Sequence, residues 1–144
     1  MDAAEVKDVF YTNLTKLVET MKTRCGTYFV VAGDLNAVIG EVRTEDKARV
    51  GPRNKDFKLP RYNNGTRLLE LCKIQGMGPM NTWFKSSITG GTHHHPGQKG
   101  NYLKTFDFIL APMPQKKHVR SCRTVDHMDY NGSLLSDHRM VELR

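Results

Sequence analysis

The sequence predicts one domain of mixed α/β class, and two observations support this fold class. Apolar residues recur at helical spacing between residues 5 and 22, and a continuous run of apolar and β-prone residues follows at 28–32. A helix that leads directly into a strand is typical of α/β layering. The chain has 144 residues, of which 38% are hydrophobic and 26% charged, enough to bury one core.

The apolar residues of the first helix step by three or four positions, so they form one stripe that we expect to pack on the sheet. They are Val6, Val9, Phe10, Leu14, Leu17, Val18 and Met21. The helix should end at residues 24–27, where Gly26 permits a turn. The apolar run that follows is continuous rather than alternating, which predicts a strand buried on both faces.

Two polar residues follow this strand. Asp34 comes directly after Gly33, and Asn36 lies two positions later. Both side chains carry hard oxygen ligands, which suit a divalent cation or an oriented water molecule. The alternative is a strand that simply ends in an Asx turn.

Residues 40–61 have neither the helix nor the strand period, and they contain Gly51, Pro52 and Pro60. They predict a long surface loop, and loops of this length in a small domain are usually functional or mobile. Seven basic side chains in the loop suit phosphate contacts. The alternative is a solvated and poorly ordered loop.

A second helix should begin at residues 63–65, which favour a helix cap, and end at Gly76. Its apolar residues form a broad core-facing side, namely Leu68, Leu69, Leu71, Cys72 and Ile74. Residues 81–84 then predict a short strand. This strand carries Trp83, the only tryptophan, which either stacks on a base or packs in the core.

Three consecutive histidines, His93, His94 and His95, follow Thr92. Adjacent residues on an extended chain point in opposite directions, so at most two of these rings can share one metal ion. Zinc binding is therefore an alternative to a polar loop near a phosphate-binding surface.

The last third of the chain places acids beside apolar segments. Residues 106–110 predict a strand with Asp107 inside it, and a buried carboxylate needs a charged or hydrogen-bonding partner, for which a histidine would serve. Residues 116–123 are basic and form either a phosphate groove or an edge strand protected by charge. Asp137 and His138 stand just before a short alternating strand at the end.

The net charge of +7 favours a polyanionic partner, because neutralised phosphates release counterions. Three widely spaced cysteines predict free thiols rather than a disulfide framework. No stretch approaches the roughly 20 apolar residues of a membrane span, so no membrane partner is expected. The start of the chain lacks the pattern of a signal peptide, which indicates an intracellular protein.

The order and spacing of these motifs resemble the endonuclease/exonuclease/phosphatase superfamily. Within it, the chain is most similar to the apurinic-type endonuclease domain of LINE-type retrotransposons, a group that includes sequences labelled craniofacial development protein 2-like. The motifs that carry the resemblance are Gly33-Asp34-Leu35-Asn36-Ala37, Asn64-Gly65 with Leu68-Leu69, Asn81-Thr82-Trp83-Phe84, Asp107-Phe108-Ile109-Leu110 and Ser136-Asp137-His138.

The resemblance implies an α+β four-layer fold, a β-sandwich flanked by helices, of which residues 1–144 form about the C-terminal half. It implies hydrolysis of DNA phosphodiesters with Mg²⁺ or Mn²⁺, in the nucleus. The implied catalytic residues are Asp34, Asn36, Asp107 and His138, with Asp107 as the carboxylate partner of His138. Asp34, Asn36 and Asp137 are the implied metal ligands, and Asn81, Thr92 and His138 the implied phosphate or nucleic-acid contacts.

Two departures from the family pattern matter. The family's first half-domain supplies a glutamate ligand of Mg²⁺, and nothing before Val6 matches it. In addition, His93 stands where a tryptophan is common. We therefore expect the single sheet to expose the apolar face that would pack on its missing partner, and we expect little activity from these residues alone. The missing half-domain, or a reverse transcriptase region, would lie in a parent polypeptide. The alternatives are a non-catalytic nucleic-acid-binding remnant and a phosphatase for inositol or lipid phosphates.

Overall fold

The structure is a computed structural model that describes residues 3–86, 91–94, 102–125 and 138–144. The described residues form helices and antiparallel sheets, which confirms a mixed α and β fold. The two long helices are α1 (Ala3–Cys25) and α2 (Asn63–Gln75). The strands are β1 (Val31–Asp34), β2 (Met77–Pro79), β3 (His93–His94), β4 (Tyr102–Lys104), β5 (Asp107–Pro112), β6 (Cys122–Val125) and β7 (Met140–Leu143).

Strand β5 is the centre of the fold. It pairs with β1 on one side and β2 on the other, in the order β1-β5-β2, while β3 pairs with β4 and β6 with β7. Successive side chains of a strand point to opposite faces. Phe108 and Leu110 accordingly join the core formed with α1 and α2, whereas Ile109 and Ala111 join a second core with residues of β6 and β7. The β1-β5-β2 sheet is therefore covered by helices on one face and by the β6-β7 pair on the other. The apolar sheet face that we expected to be exposed is thus covered in the described part of the chain.

The first helix forms as predicted and ends at Gly26, whose φ of 60° lies in the left-handed region. Its packing is different from the prediction. Only Tyr11 and Val18 are buried, and the helix packs mostly against α2 rather than on the sheet. Four residues of the predicted stripe are about half exposed, namely Val6, Val9, Phe10 and Leu17. The described part of the chain thus has an exposed apolar surface on α1.

The prediction that the apolar run at 28–32 is buried on both faces is wrong. The hydrogen-bonded strand covers Val31–Asp34, and its last three residues are exposed. In the described sheet β1 is an edge strand, paired with β5 alone. Strand β5 is the strand whose two faces are both buried, because it has a paired neighbour on each side and a core on each face.

Residues 40–61 are not a solvated, poorly ordered loop. Arg61 donates from Nε to the Ile39 carbonyl, and its guanidinium bonds Asp46 and the Glu41 carbonyl. Asn54 is buried and donates to the Gly40 carbonyl at 2.7 Å. These side-chain bonds satisfy backbone groups that a segment without regular structure leaves open. Arg61, one of the seven basic residues expected to suit phosphates, is therefore used internally.

Three further expectations are revised. Residues 81–84 are not a strand, since Met80–Thr82 form a 3₁₀ turn. The second helix begins after Tyr62 rather than after an asparagine cap, and no side chain caps it. The basic segment divides into a 3₁₀ helix, Met113–His118, and strand β6. The free thiols and the C-terminal strand are confirmed, and none of the described helices combines the length and apolar character needed to cross a membrane.

Candidate functional site

Two carboxylates face each other at the end of the sheet. Asp34 is the last residue of β1 and Asp107 the first of β5, and the antiparallel register makes them direct partners. Like charges on directly opposed residues of neighbouring strands are destabilising. The apolar residues of β5 fill the two cores and Val31 of β1 packs against the first of them, which leaves the acids at the rim.

His138 lies between these carboxylates. Its Nδ1 is 2.8 Å from Asp107 Oδ2, and its Nε2 is 3.9 Å from Asp34 Oδ2. The first distance is a hydrogen bond, which fixes the orientation of the ring. The second is too long for one and leaves room for a bridging atom. The Asp34 side chain is 39% exposed, so this end of the row is open to solvent.

The partner that a partly buried Asp107 was expected to need is therefore His138, as the sequence predicts. The two residues are 31 positions apart. We name the three side chains Asp34, His138 and Asp107 the carboxylate–histidine row.

Asp107 is held in place by its backbone. The hydroxyl of Thr92 accepts hydrogen bonds from the amides of Phe106 and Asp107, at 3.0 and 3.2 Å. The side-chain amide of Asn81 donates to the backbone carbonyl of Asp107 at 3.0 Å. Thr92 is fully buried, and its hydroxyl positions the strand; the phosphate contact expected of Thr92 stays a prediction. Asn81 Oδ1 is buried without a hydrogen-bond partner among the described residues.

Asn36 adopts a left-handed φ of 47°, which its short polar side chain tolerates. The backbone amide of Asn36 donates to Asp34 Oδ1 at 2.8 Å, so the Asx turn considered from the sequence is present. The turn does not exclude a site, because Asp34 Oδ2 faces the histidine. Asn64 anchors the turn through a hydrogen bond to the Asn36 carbonyl, a contact that sequence reasoning missed.

His93 is the other residue that sequence reasoning did not assign to the site. Its ring lies 4.9 Å from the rings of both His138 and Phe106. A backbone bridge joins His93 to His138, and the neighbouring Arg139 amide donates to the Thr92 carbonyl. The local sequence offers no signal for this contact, because the two histidines are far apart in the chain.

A buried acid fixes the segment that precedes Asp107. Asp56 is 1% exposed and accepts hydrogen bonds from the Thr105 amide at 3.2 and 3.3 Å. Burial raises the pKa of the Asp56 carboxyl to about 6, against the smaller opposing effect of the Thr105 hydrogen bonds and of nearby Lys55 and Lys104. Loop 40–61 is thereby tied to the strand that carries the candidate site.

The donors available for a metal ion are few. Within residues 3–86, 91–94, 102–125 and 138–144 no group of three or more histidine, cysteine or acidic side chains could hold one. Asp34 and Asn36 supply one carboxylate and one amide, and Asp137, the third expected ligand, lies outside the described residues. This set fits Mg²⁺, which usually takes one or two carboxylates and completes its shell with water and substrate phosphate.

Comparisons with known proteins add no assignment. Neither the protein-family models nor the curated proteins give a match to this chain.

Proposed function

We propose that the chain forms part of a Mg²⁺-dependent phosphodiesterase that cleaves DNA. The observation that carries the proposal is the carboxylate–histidine row, in which one ring nitrogen is bonded to Asp107 and the other faces Asp34 across 3.9 Å. A ring held by one carboxylate and open toward a solvent-exposed second one suits a reaction in which charge develops between them.

The chemistry assigns a different role to each member of the row. Asp34 orients an attacking water and accepts its proton as the water oxygen bonds to phosphorus. His138, held by Asp107, donates to a non-bridging phosphate oxygen, and the bond to the leaving oxygen breaks as that oxygen takes a proton from solvent water. Positioned donors of this kind stabilise charge in the transition state because they need no reorganisation during the reaction.

Asp34 and Asn36 would hold the Mg²⁺ ion together with Asp137. The ion, when bound, neutralises charge on the phosphate oxygens. Its place beside Asp34 is supported by the exposure of that carboxylate and by Asn36, whose backbone amide fixes Asp34 Oδ1. Mn²⁺ would serve in the same way.

The same proposal includes the wider architecture. We place the chain in the C-terminal half of a four-layer sandwich of the endonuclease/exonuclease/phosphatase superfamily, within a longer nuclear polypeptide. The order of the motifs along the sequence supports this placement.

The test is nicking of supercoiled plasmid in Mg²⁺, measured for the 144-residue chain and for a polypeptide extended upstream. The extended form should nick, and Asp34→Ala or His138→Ala should each lower its rate by about 100-fold or more. His118→Ala is the matched control, because His118 is exposed and is not a member of the carboxylate–histidine row. Equal activity in the wild type and the His138 variant would refute the assigned role.

A second candidate function is nucleic-acid binding without catalysis. It is favoured by the small number of metal donors in the described residues. Binding of this kind should show the same salt dependence with and without EDTA, since the phosphate contacts come from lysine and arginine. A catalytic protein should instead bind DNA more tightly when Mg²⁺ is present.

A further inference from the structure

A pocket separate from the carboxylate–histidine row lies in the packed loop 40–61. Its volume is about 430 Å³, within the range of small-molecule sites. The residues that line it are Val42, Lys47, Val50, Gly51, Pro52, Asn54, Phe57 and Trp83. We name it the Trp83 pocket. Its floor depends on Gly51, where a Cβ would collide with the backbone of Thr82.

The neutral polar side chains of the Trp83 pocket, Trp83 and Asn54, are already hydrogen-bonded within the protein. Trp83 donates from Nε1 to the Arg49 carbonyl at 2.9 Å, which fixes the indole. Asn54 donates to the Gly40 carbonyl and accepts from the Asp56 amide. The pocket therefore presents ring faces and aliphatic surface, which select a flat apolar group by stacking rather than by hydrogen bonds.

The two aromatic rings differ in exposure. Phe57 is 57% exposed, which is unusual for a ring that only fills a core. Trp83 is half-buried and carries Lys116 Nζ 3.6 Å from its ring centre, a cation–π contact. Phe57 is thus the more exposed ring, with Lys58 Nζ over it at 5.5 Å from the ring centre, and Trp83 is held in place by its hydrogen bond and by Lys116.

The residues that line the pocket carry charge of one sign. Lys47 is its only charged lining residue, and no carboxylate lines it in the described part of the chain. Lys58 lies 5.5 Å from the Phe57 ring centre, and Arg53 follows Pro52 directly and is exposed. Flat apolar surface bordered by lysine and arginine is complementary to a nucleobase with its phosphates on either side.

We propose that the Trp83 pocket binds an unpaired base of a single-stranded segment of nucleic acid, stacked on Phe57, with the flanking phosphates on Lys47 and Lys58. Because the neutral polar side chains of the lining, Asn54 and Trp83, are bonded within the protein, binding should depend little on which base is present. This inference rests on the proposed function for the identity of the partner, but it needs neither metal nor catalysis.

The test uses the fluorescence of Trp83, the single tryptophan of the chain. The 144-residue protein is titrated in EDTA with a short oligothymidine and with an abasic oligomer that has the same number of phosphates. We expect oligothymidine to quench the fluorescence and to bind about 5- to 150-fold more tightly than the abasic oligomer, the range for stacking of a base on an aromatic side chain.

Variants locate the contact, with binding followed by anisotropy of a labelled oligomer. Phe57→Ala should remove most of the preference for oligothymidine and leave abasic binding unchanged, whereas Phe57→Tyr should keep the preference because it retains a ring. Ile74→Ala is the matched control, since Ile74 is 70% exposed and does not line the pocket.

Equal affinity for the two oligomers would overturn the proposal and show a basic surface that binds phosphate alone. Binding of N-acetyltryptophanamide without any binding of oligothymidine would also overturn it, in favour of an aromatic side chain of a protein partner. Loss of plasmid nicking would not bear on this result, because the titration contains no metal. If the protein prefers oligothymidine but does not nick plasmid, the base-binding proposal holds and the proposed phosphodiesterase function fails.

Discussion

Asp56 offers a test of how burial sets stability. Its carboxyl is 1% exposed, and the surrounding protein raises its pKa from 3.8 to about 6. In the unfolded chain the group ionises near its ordinary value, so between about pH 4 and pH 6 the unfolded state binds fewer protons than the folded one. The free energy of unfolding must therefore fall as the pH rises through this window.

The size of the effect follows from the change in pKa. A difference of about two pKa units corresponds to about 3 kcal/mol, with no reduction for solvent screening because the side chain is buried. Asp56→Asn keeps an oxygen that can accept from the Thr105 amide and removes the titration. Relative to that of the wild type, the free energy of unfolding of the variant should rise by up to about 3 kcal/mol as the pH increases from about 4 to 7.

Urea unfolding followed by circular dichroism, repeated across this pH range, measures the difference in free energy of unfolding between the two proteins. The change of that difference with pH isolates the titration from any fixed cost of the substitution. Glu70→Gln, at an exposed position of α2, is the control for removal of a negative charge. A difference that stays constant with pH, or that falls as pH rises, would refute the reasoning.

Two further predictions concern packing and thiol chemistry. Gly65→Ala should lower the free energy of unfolding by about 1–3 kcal/mol, because a Cβ would collide with the Val38 carbonyl, whereas Gly33→Ala meets no atom and serves as the control in thermal melts. Burial raises the pKa of Cys72 and of Cys122 to about 12 each. A thiol-reactive dye at mildly alkaline pH should therefore label one cysteine in the folded protein and all three in urea, and labelling of all three without urea would contradict the described burial.

Local patterns predict the helices and the central strand well. The helical spacing between residues 5 and 22 and the apolar side of α2 both correspond to helices, because they are properties of neighbouring residues. The segment at 106–110 likewise forms most of β5. The same patterns mispredict burial: the stripe on α1 is half exposed, and β1 is an edge strand. Burial depends on which other elements cover a face, and a local pattern does not contain that information.

The candidate site likewise has features that the sequence predicts and features that depend on tertiary contacts. The chemistry of Asp34, Asn36, Asp107 and His138 can be read from residue types and from the resemblance. The role of Thr92 in positioning the strand could not be read in this way, because its buried hydroxyl accepts hydrogen bonds from two backbone amides that are 14 and 15 residues away.

By itself, then, the sequence determined the mixed helix and strand content, the free thiols and the acid in β5 that needs a partner. The resemblance implied His138 as that partner, and the tertiary structure shows how the two side chains meet. The antiparallel register brings Asp34 opposite Asp107, and the chain returns at its end to place His138 between them. The packing of loop 40–61 and the formation of the Trp83 pocket also depend on tertiary contacts. Each of these features is made of contacts between residues distant in the chain, which form only when the two cores close.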